Sequence, residues 1–296
     1  MYGGLGPVHS SAGIGTCPPR DAKREAGTTL AGMLRSVDVT RYITPLREGS
    51  SLPALVEADD GREYVVKFRG AGHGEKALIA ELLVGEIGRA LGLPVPEIVL
   101  VTLPDEIARA ESHDEIRDLL GWSVGLNIGL AFVPGALASD MTRAPAEGPD
   151  WAADVVWFDA LTINPDRTPR NANLIVDRGR TWLIDHGSAF YVHHAWNEPD
   201  AHARRPFDRI GEHILLPFAG SITEADARLA PRADGATLDA IIDAIPESWL
   251  NDTRFAGPAD ERDAYRRYLA ARLEARPAWV AGAEAARREV QRDAVA

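Results

Sequence analysis

The sequence predicts an α+β fold of two unequal lobes, a small β-rich N-terminal lobe carrying one long helix and a mostly helical C-terminal lobe. Three observations carry this reading. Short β-patterned runs cluster between residues 37 and 103, interrupted by one amphipathic helical run from Lys76 to Leu91. From Trp151 onward the apolar spacing is mostly helical. Within that helical half, a loop–strand–turn–strand unit from Asp166 to Gly187 sets polar groups at fixed spacings. We place an N-terminal extension at residues 1–35, the first lobe at 36–134 and the second at 135–296.

Residues 1–35 are rich in Gly, Ser, Pro and charge without periodicity, which predicts a disordered extension. The structured pattern opens at Met33, and we expect the natural chain to start there. Val37 to Leu46 reads as a strand, and Arg47 to Pro53 as a small-residue loop. A strand from Ala54 to Glu57, a turn at Asp59-Asp60-Gly61 and a strand from Glu63 to Arg69 follow. Backbone N–H groups approach a phosphate only where side chains are small. Gly49, Ser50 and Ser51 are therefore candidates to cover one, and Lys67, mid-strand, is the candidate to pair with it. The chain has three lysines, Lys23, Lys67 and Lys76, which makes Lys67 conspicuous.

Gly70, Gly72 and Gly74 form a flexible loop before the helix. They bring to mind a dinucleotide fingerprint, but the third glycine is one position early, and Gly74-Glu75-Lys76 is not a Walker A ending. Asp105, after the strand Ile98 to Leu103, is the ribose-binding acid on that alternative. The helix Lys76 to Leu91 stops at Gly92-Leu93-Pro94. Of its inner acids, Glu81 and Glu86, Glu81 is the better placed to hold Lys67. Pro104 to Leu120 is polar and partly helical. Leu130 to Gly135 reads as a strand leading into a hinge, where Phe132 and Val133 would meet a nucleotide base. After a Pro/Ala/Gly-rich connection, Trp151 to Ile163 is an apolar helix with Trp157 in the core.

Asp166 stands five residues before Asn171. Two apolar runs, joined by a turn at Asp177 to Arg180, then lead to Asp185-His186-Gly187. Asp and Asn are common turn formers singly. Together, with a lysine strand upstream, they match the needs of phosphoryl transfer to a hydroxyl. One carboxylate takes the acceptor's proton, while an amide oxygen and a second carboxylate hold the ions that bridge ATP phosphates. His193 and His194 are adjacent, but no third ligand stands at a metal-site spacing. Three helical segments finish the chain: Glu224 to Leu229, Thr237 to Ile245 and Asp260 to Gln291.

Bulk properties exclude some classes. A net charge of −12 argues against a general nucleic-acid backbone binder. With Cys17 as the one cysteine, no disulfide forms within the chain. No apolar run reaches the roughly 18 residues of a membrane span, and no signal peptide is visible. We read the chain as cytoplasmic and bacterial.

The chain resembles the HipA-like kinases, within the wider protein-kinase-like fold. The resemblance is carried by Tyr64 to Arg69, Glu81 through Pro96, Trp157 to Ala160, Asn164 to Asn171 and Leu183 to Gly187. The Asp-Arg-x-x-x-Asn and Ile-Asp-x-Gly pair is also similar to type II phosphatidylinositol 4-kinases. The resemblance implies a bilobed fold with ATP between the lobes and Asp166 as catalytic base. It implies Asn171 and Asp185 as Mg2+ ligands and Lys67, paired with Glu81, on the phosphates. In toxin members a phosphate-loop serine is autophosphorylated, a position Ser50 or Ser51 would take here. Only about 35 residues precede the first strand, which does not match the extra N-terminal subdomain of toxin members. Asn164 and His186 stand where protein kinases carry His and Phe. These departures keep a nucleotide-binding pseudokinase as the second reading, ahead of a dinucleotide-binding oxidoreductase. The phosphoryl acceptor, protein or small molecule, carries no motif.

Overall fold

The computed structural model describes residues 34–46, 52–72 and 74–294 of the chain. The expectations placed on residues 1–33 and on Gly49, Ser50 and Ser51 lie outside the described residues.

Five strands close into a barrel. β1 (Arg35–Pro45) is followed by β2 (Ala54–Ala58) and β3 (Glu63–Lys67). The helix α1 (Glu75–Leu91) comes next, then β4 (Ile98–Leu103). Two short helices, α2 (Asp105–Ala110) and α3 (Asp114–Trp122), lead to β5 (Gly125–Ala131). The strand order is β1-β2-β3-β5-β4, closed by a parallel pairing of β1 with β4. Alternation decides which side chains enter the barrel. In β3, Tyr64 and Val66 join the barrel interior with Val99 and Val101 of β4. Val65 and Lys67 instead line a cleft.

The long helix α1 belongs to a different core. Its buried Leu78, Leu82, Leu83 and Ile87 pack in one cluster with the helices that follow. Close approach is possible because Gly85 and Gly88 are bare. A Cβ on Gly85 would lie 2.3 Å from the Ile98 side chain, and one on Gly88 would lie 3.2 Å from Phe158. The apolar core therefore runs from α1 straight into the helical half.

That half begins with β6 (Leu137–Ala138) and α4 (Pro149–Thr162), whose interior from Ala152 is almost wholly buried. β7 (Leu174–Asp177) and β8 (Arg180–Leu183) form a hairpin, with β6 completing a three-stranded sheet. The hairpin turn, Arg178-Gly179, has positive φ at both residues, as a two-residue turn matching strand twist requires. α5 (Pro199–Arg204), α6 (Ile222–Leu229) and α7 (Gly235–Asp243) follow. Ser221 and Asp234 cap α6 and α7 by accepting N–H bonds from Glu224 and Thr237.

Two expectations are corrected. The helix read from Asp260 to Gln291 is two, α8 (Pro258–Glu274) and α9 (Arg276–Asp293). Pro277 accounts for the break, since it supplies no N–H to continue the ladder and fits only a first helical turn. The strand read from Leu130 to Gly135 ends at Ala131; the Phe132 N–H still donates to the Glu63 carbonyl, and Val133 leaves the sheet. Among the described residues, no helix is long and apolar enough to cross a membrane.

Leu83 tests the shared core. Leu83→Ala is expected to lower the unfolding free energy by about 2–5 kcal/mol in urea titrations. Leu137→Ala, at a side chain 74% exposed, is expected to stay within about 0.5 kcal/mol. Equal effects would contradict the packing of α1.

Candidate active site

Lys67 ends β3, facing away from the barrel interior and toward α1. Its ammonium donates to Glu81 Oε2 of α1 at 2.5 Å and to Asp185 Oδ1 at 2.6 Å. Glu81 is fully buried and Lys67 nearly so. Burial disfavours the lysine's charge, but the two carboxylates outweigh it and raise its pKa above the ordinary range. The same ammonium holds Asp185 below the usual carboxylate range, against a smaller effect of burial. Glu81 Oε2 also accepts the backbone N–H of His186 at 2.8 Å. One glutamate thus fixes both the lysine and the backbone beside Asp185. Glu86, the other acid in the interior of the helix, pairs with Arg89 instead.

Asp166 lies in the loop after α4. Its Oδ2 accepts from the Asn171 amide at 2.9 Å and the Asn173 amide at 3.2 Å. The Asn173 amide also reaches the Asp185 carbonyl at 3.5 Å, which ties the two aspartates together. The loop closes on itself through paired backbone bonds between Thr168 and Asn171. Because the Asn171 amide nitrogen is the group turned to Asp166, its amide oxygen is left to another partner. Asn173 and Asp185 both have left-handed backbones, with φ of 49° and 56°. Such strain concentrates at functional sites.

Beneath this layer is a hub that the sequence reading did not assign. Asp159 of α4 is fully buried and accepts from Arg167 Nε at 2.6 Å, His213 Nε2 at 2.8 Å and Asn164 Nδ2 at 3.1 Å. Burial opposes its charge, yet Arg167 and His213 more than offset that and hold its pKa below the carboxylate range. Asn164 Oδ1 in turn accepts the Asp166 N–H, and Arg167 donates to the Asn173 carbonyl. The position of Asp166 is therefore set from below by a buried ion pair. A signal was present: Asp159 is a lone acid inside the apolar run Val155 to Leu161, where a charge needs a partner. Nothing in the sequence points to His213 as one.

A cleft of about 290 Å³ opens above Lys67, Asn171 and Asp185. Phe132 and Val133 line it, as do Leu46 and Pro53, which flank the undescribed residues 47–51. Gly70, Gly72, Gly74 and Asp105 are not among its lining residues. Gly70 is packed against Trp122 and Ser123, and Asp105 pairs with Arg109 on α2. The glycine run is thus a connector between β3 and α1. His193 is buried against the Tyr265 hydroxyl, 2.9 Å away, and no group of three or more His, Cys, Asp or Glu among the described residues is arranged to hold a metal. Trp157 is a core residue, its indole N–H donating to Asp226.

The family model of HipA-like kinases matches residues 39–274. The chain belongs to the HipA-like kinase family. Membership supports a phosphotransferase. A proinflammatory kinase of Helicobacter pylori, CtkA, superposes with a TM-score of 0.54 at 16% identity, over 86% of this chain and 98% of that one. A Golgi casein kinase with Mn/ADP bound gives a TM-score of 0.46 at 12% identity, over 83% and 75% of the two chains. No curated protein matches the sequence.

His186, second in the Asp-His-Gly run of this HipA-like kinase, is buried edge-on to Phe158, and burial pushes its pKa down to about 3. Below the ordinary value of 6.5 the unfolded chain takes up a proton that the folded chain refuses. Stability contributed here is therefore intact above 6.5 and declines as pH falls toward 3. His186→Phe is expected to give a shallower loss of unfolding free energy between pH 6.5 and 4 in urea titrations, with His193, His202, His213 and the carboxylates held below their ordinary range supplying the remaining slope. Superimposable pH profiles would contradict this.

Proposed function

We propose that the chain is an ATP- and Mg2+-dependent kinase that moves the γ-phosphoryl group to a hydroxyl of a protein or small-molecule acceptor. The observation that supports this most is that Lys67, Asn171 and Asp185 line one cleft, with Glu81 bonded to Lys67 and Asp166 bonded to Asn171. They come from a strand, a helix, a loop and the end of a hairpin, and hydrogen bonds join them into one network. On this reading residues 36–134 and 135–296 act as the two lobes. Phe132 and Val133 line the base end of the cleft near their boundary, and Asp166 faces the acceptor side.

The residues fit a magnesium ion held jointly with phosphates. Mg2+ takes one or two carboxylates and completes its shell from water and substrate phosphate, so no three-acid cage is needed. The Asp185 carboxylate and the Asn171 amide oxygen are the protein's contribution. When bound, the ion would neutralise charge on the phosphates. Lys67 binds and orients the phosphates, and Glu81 keeps Lys67 aimed at them. Asp166 accepts the acceptor's proton as the oxygen–phosphorus bond forms and the bond to ADP breaks.

The Asn164 and His186 departures do not favour a pseudokinase. Asn164 braces the backbone of Asp166, and His186 packs in the core behind Asp185. Neither substitution removes a group that the transfer needs.

Thermal unfolding with and without Mg-ATP separates binding from transfer. A ligand at about a hundred times its Kd adds roughly 2.7 kcal/mol, so wild type should shift visibly and Asp185→Ala should not. Asp166→Ala is expected to keep the shift while ADP release falls by at least about a hundredfold. Equal turnover in wild type and Asp166→Ala would remove Asp166 as the base.

A further inference from the structure

Lys76 sits in the first turn of α1, where a cation opposes the helix dipole. The turn has no side-chain cap, and the chain reaches it through Gly72 and Gly74, both at positive φ. Glu75 in the same turn suits the dipole, but with no cap and two glycines ahead of it this end of α1 is weakly held by local rules. The compensation comes from the far end of the sequence. Lys76 Nζ donates to Asp252 Oδ2 at 2.5 Å and to Glu261 Oε1 of α8 at 3.4 Å. Both carboxylates are at least 95% buried at the side chain. Glu261 Oε2 accepts the Asp252 N–H at 3.1 Å, which locks the two acids to each other.

The same cluster grips a third segment. Asp252 accepts from Arg254 at 2.8 Å and 2.5 Å. Arg254 in turn donates to the carbonyls of His193 and His194, at 3.4 Å and 3.0 Å. Those two residues close the stretch that starts at Asp185-His186-Gly187. Two cations and two acids thus join α1, α8 and the segment leaving the site. Lys76 and Glu81 are five residues apart, about 7.5 Å along the helix and on different faces. One face of α1 is anchored by Lys76, and another delivers Glu81 to Lys67.

We propose that Lys76, Asp252, Glu261 and Arg254 form a positioning clamp for the kinase site, which holds α1 so that Glu81 meets Lys67. The clamp also makes α1 responsive to the 186–194 segment. It rests on the kinase reading for its consequence in catalysis but not for its mechanics.

Two measurements on wild type, Lys76→Met and Lys76→Arg test it. In hydrogen exchange without nucleotide, Lys76→Met should exchange at least about tenfold faster in the first turns of α1 and in residues 186–196, with α9 unchanged. Lys76→Arg should restore protection to both. Faster exchange confined to α1, or spread evenly over the molecule, overturns the clamp. In ADP-release kinetics well below the unfolding midpoint, Lys76→Met should lower kcat at least about tenfold and move the KM for ATP less than about threefold. The loss should be non-additive with Glu81→Gln, since both act through Lys67. Unchanged kcat, or full additivity, overturns the proposal. If Lys76→Met folds poorly, Asp252→Asn serves in its place. Exchange that follows the expected pattern in a wild type with no ADP release keeps the clamp and refutes the kinase reading instead.

Discussion

A single buried ammonium organises this molecule. Lys67 carries its charge where water is largely excluded. An unpaired charge there would cost several kcal/mol. The cost is met by two carboxylates from opposite halves of the chain, Glu81 on α1 and Asp185 after the β7–β8 hairpin. That requirement constrains the rest. Strand β3 must end where α1 passes, α1 must come close enough for Glu81 to reach, and the hairpin must return Asp185 to the same point. Gly85 and Gly88, bare on the buried side of α1, are the packing consequence.

The second buried charge, Asp159, does for the loop what Lys67 does for the strand. Its partners Arg167, Asn164 and His213 hold the backbone on both sides of Asp166. Strain is concentrated around the same hub. Ile163, a β-branched residue with φ of 51°, turns the chain from α4 into the loop, and Asn173 and Asp185 are left-handed as well. Each such residue costs of order 1–3 kcal/mol and persists only where its surroundings over-determine it. Here the over-determination is visible. Ile163 is buried, the Asn173 carbonyl accepts from both Arg167 and Ile184, and Asp185 is pinned by Lys67.

Much of this was legible in the sequence because the relevant signals are local. The β3 lysine follows a β-branched run, Asp166 and Asn171 are five residues apart, and Asp185-His186-Gly187 ends a readable hairpin. The structure brings these residues together with Glu81, the helix acid chosen for its reach to the strand. What escaped reading is long-range or depends on a single residue. Pro277 splits a pattern that periodicity alone reads as one helix. The pairing of Asp159 with His213 spans 54 positions and leaves no periodic trace. Phe132 and Val133 look like a continued strand because they are apolar, but they lie past the end of β5 and line the cleft. The glycine run before α1 resembled a ligand loop for the same reason. Glycine marks permissive backbone, and only packing distinguishes a connector from a cradle.

Charge balance binds the parts of the proposed function together. Around Lys67 stand the carboxyl groups of Glu81 and Asp185, two acids to one ammonium, in a chain already at −12. His186, beside them, is held neutral by burial. A nucleoside triphosphate brought into such a place alone would meet like charge at short range, where the low dielectric magnifies it. With a divalent cation bound, Asp185 would serve as a ligand, and the ion would supply the charge that offsets this repulsion. On the proposed function, ATP binding and metal binding would be one event, because the acidic surroundings of Lys67 would make the metal a condition of the nucleotide.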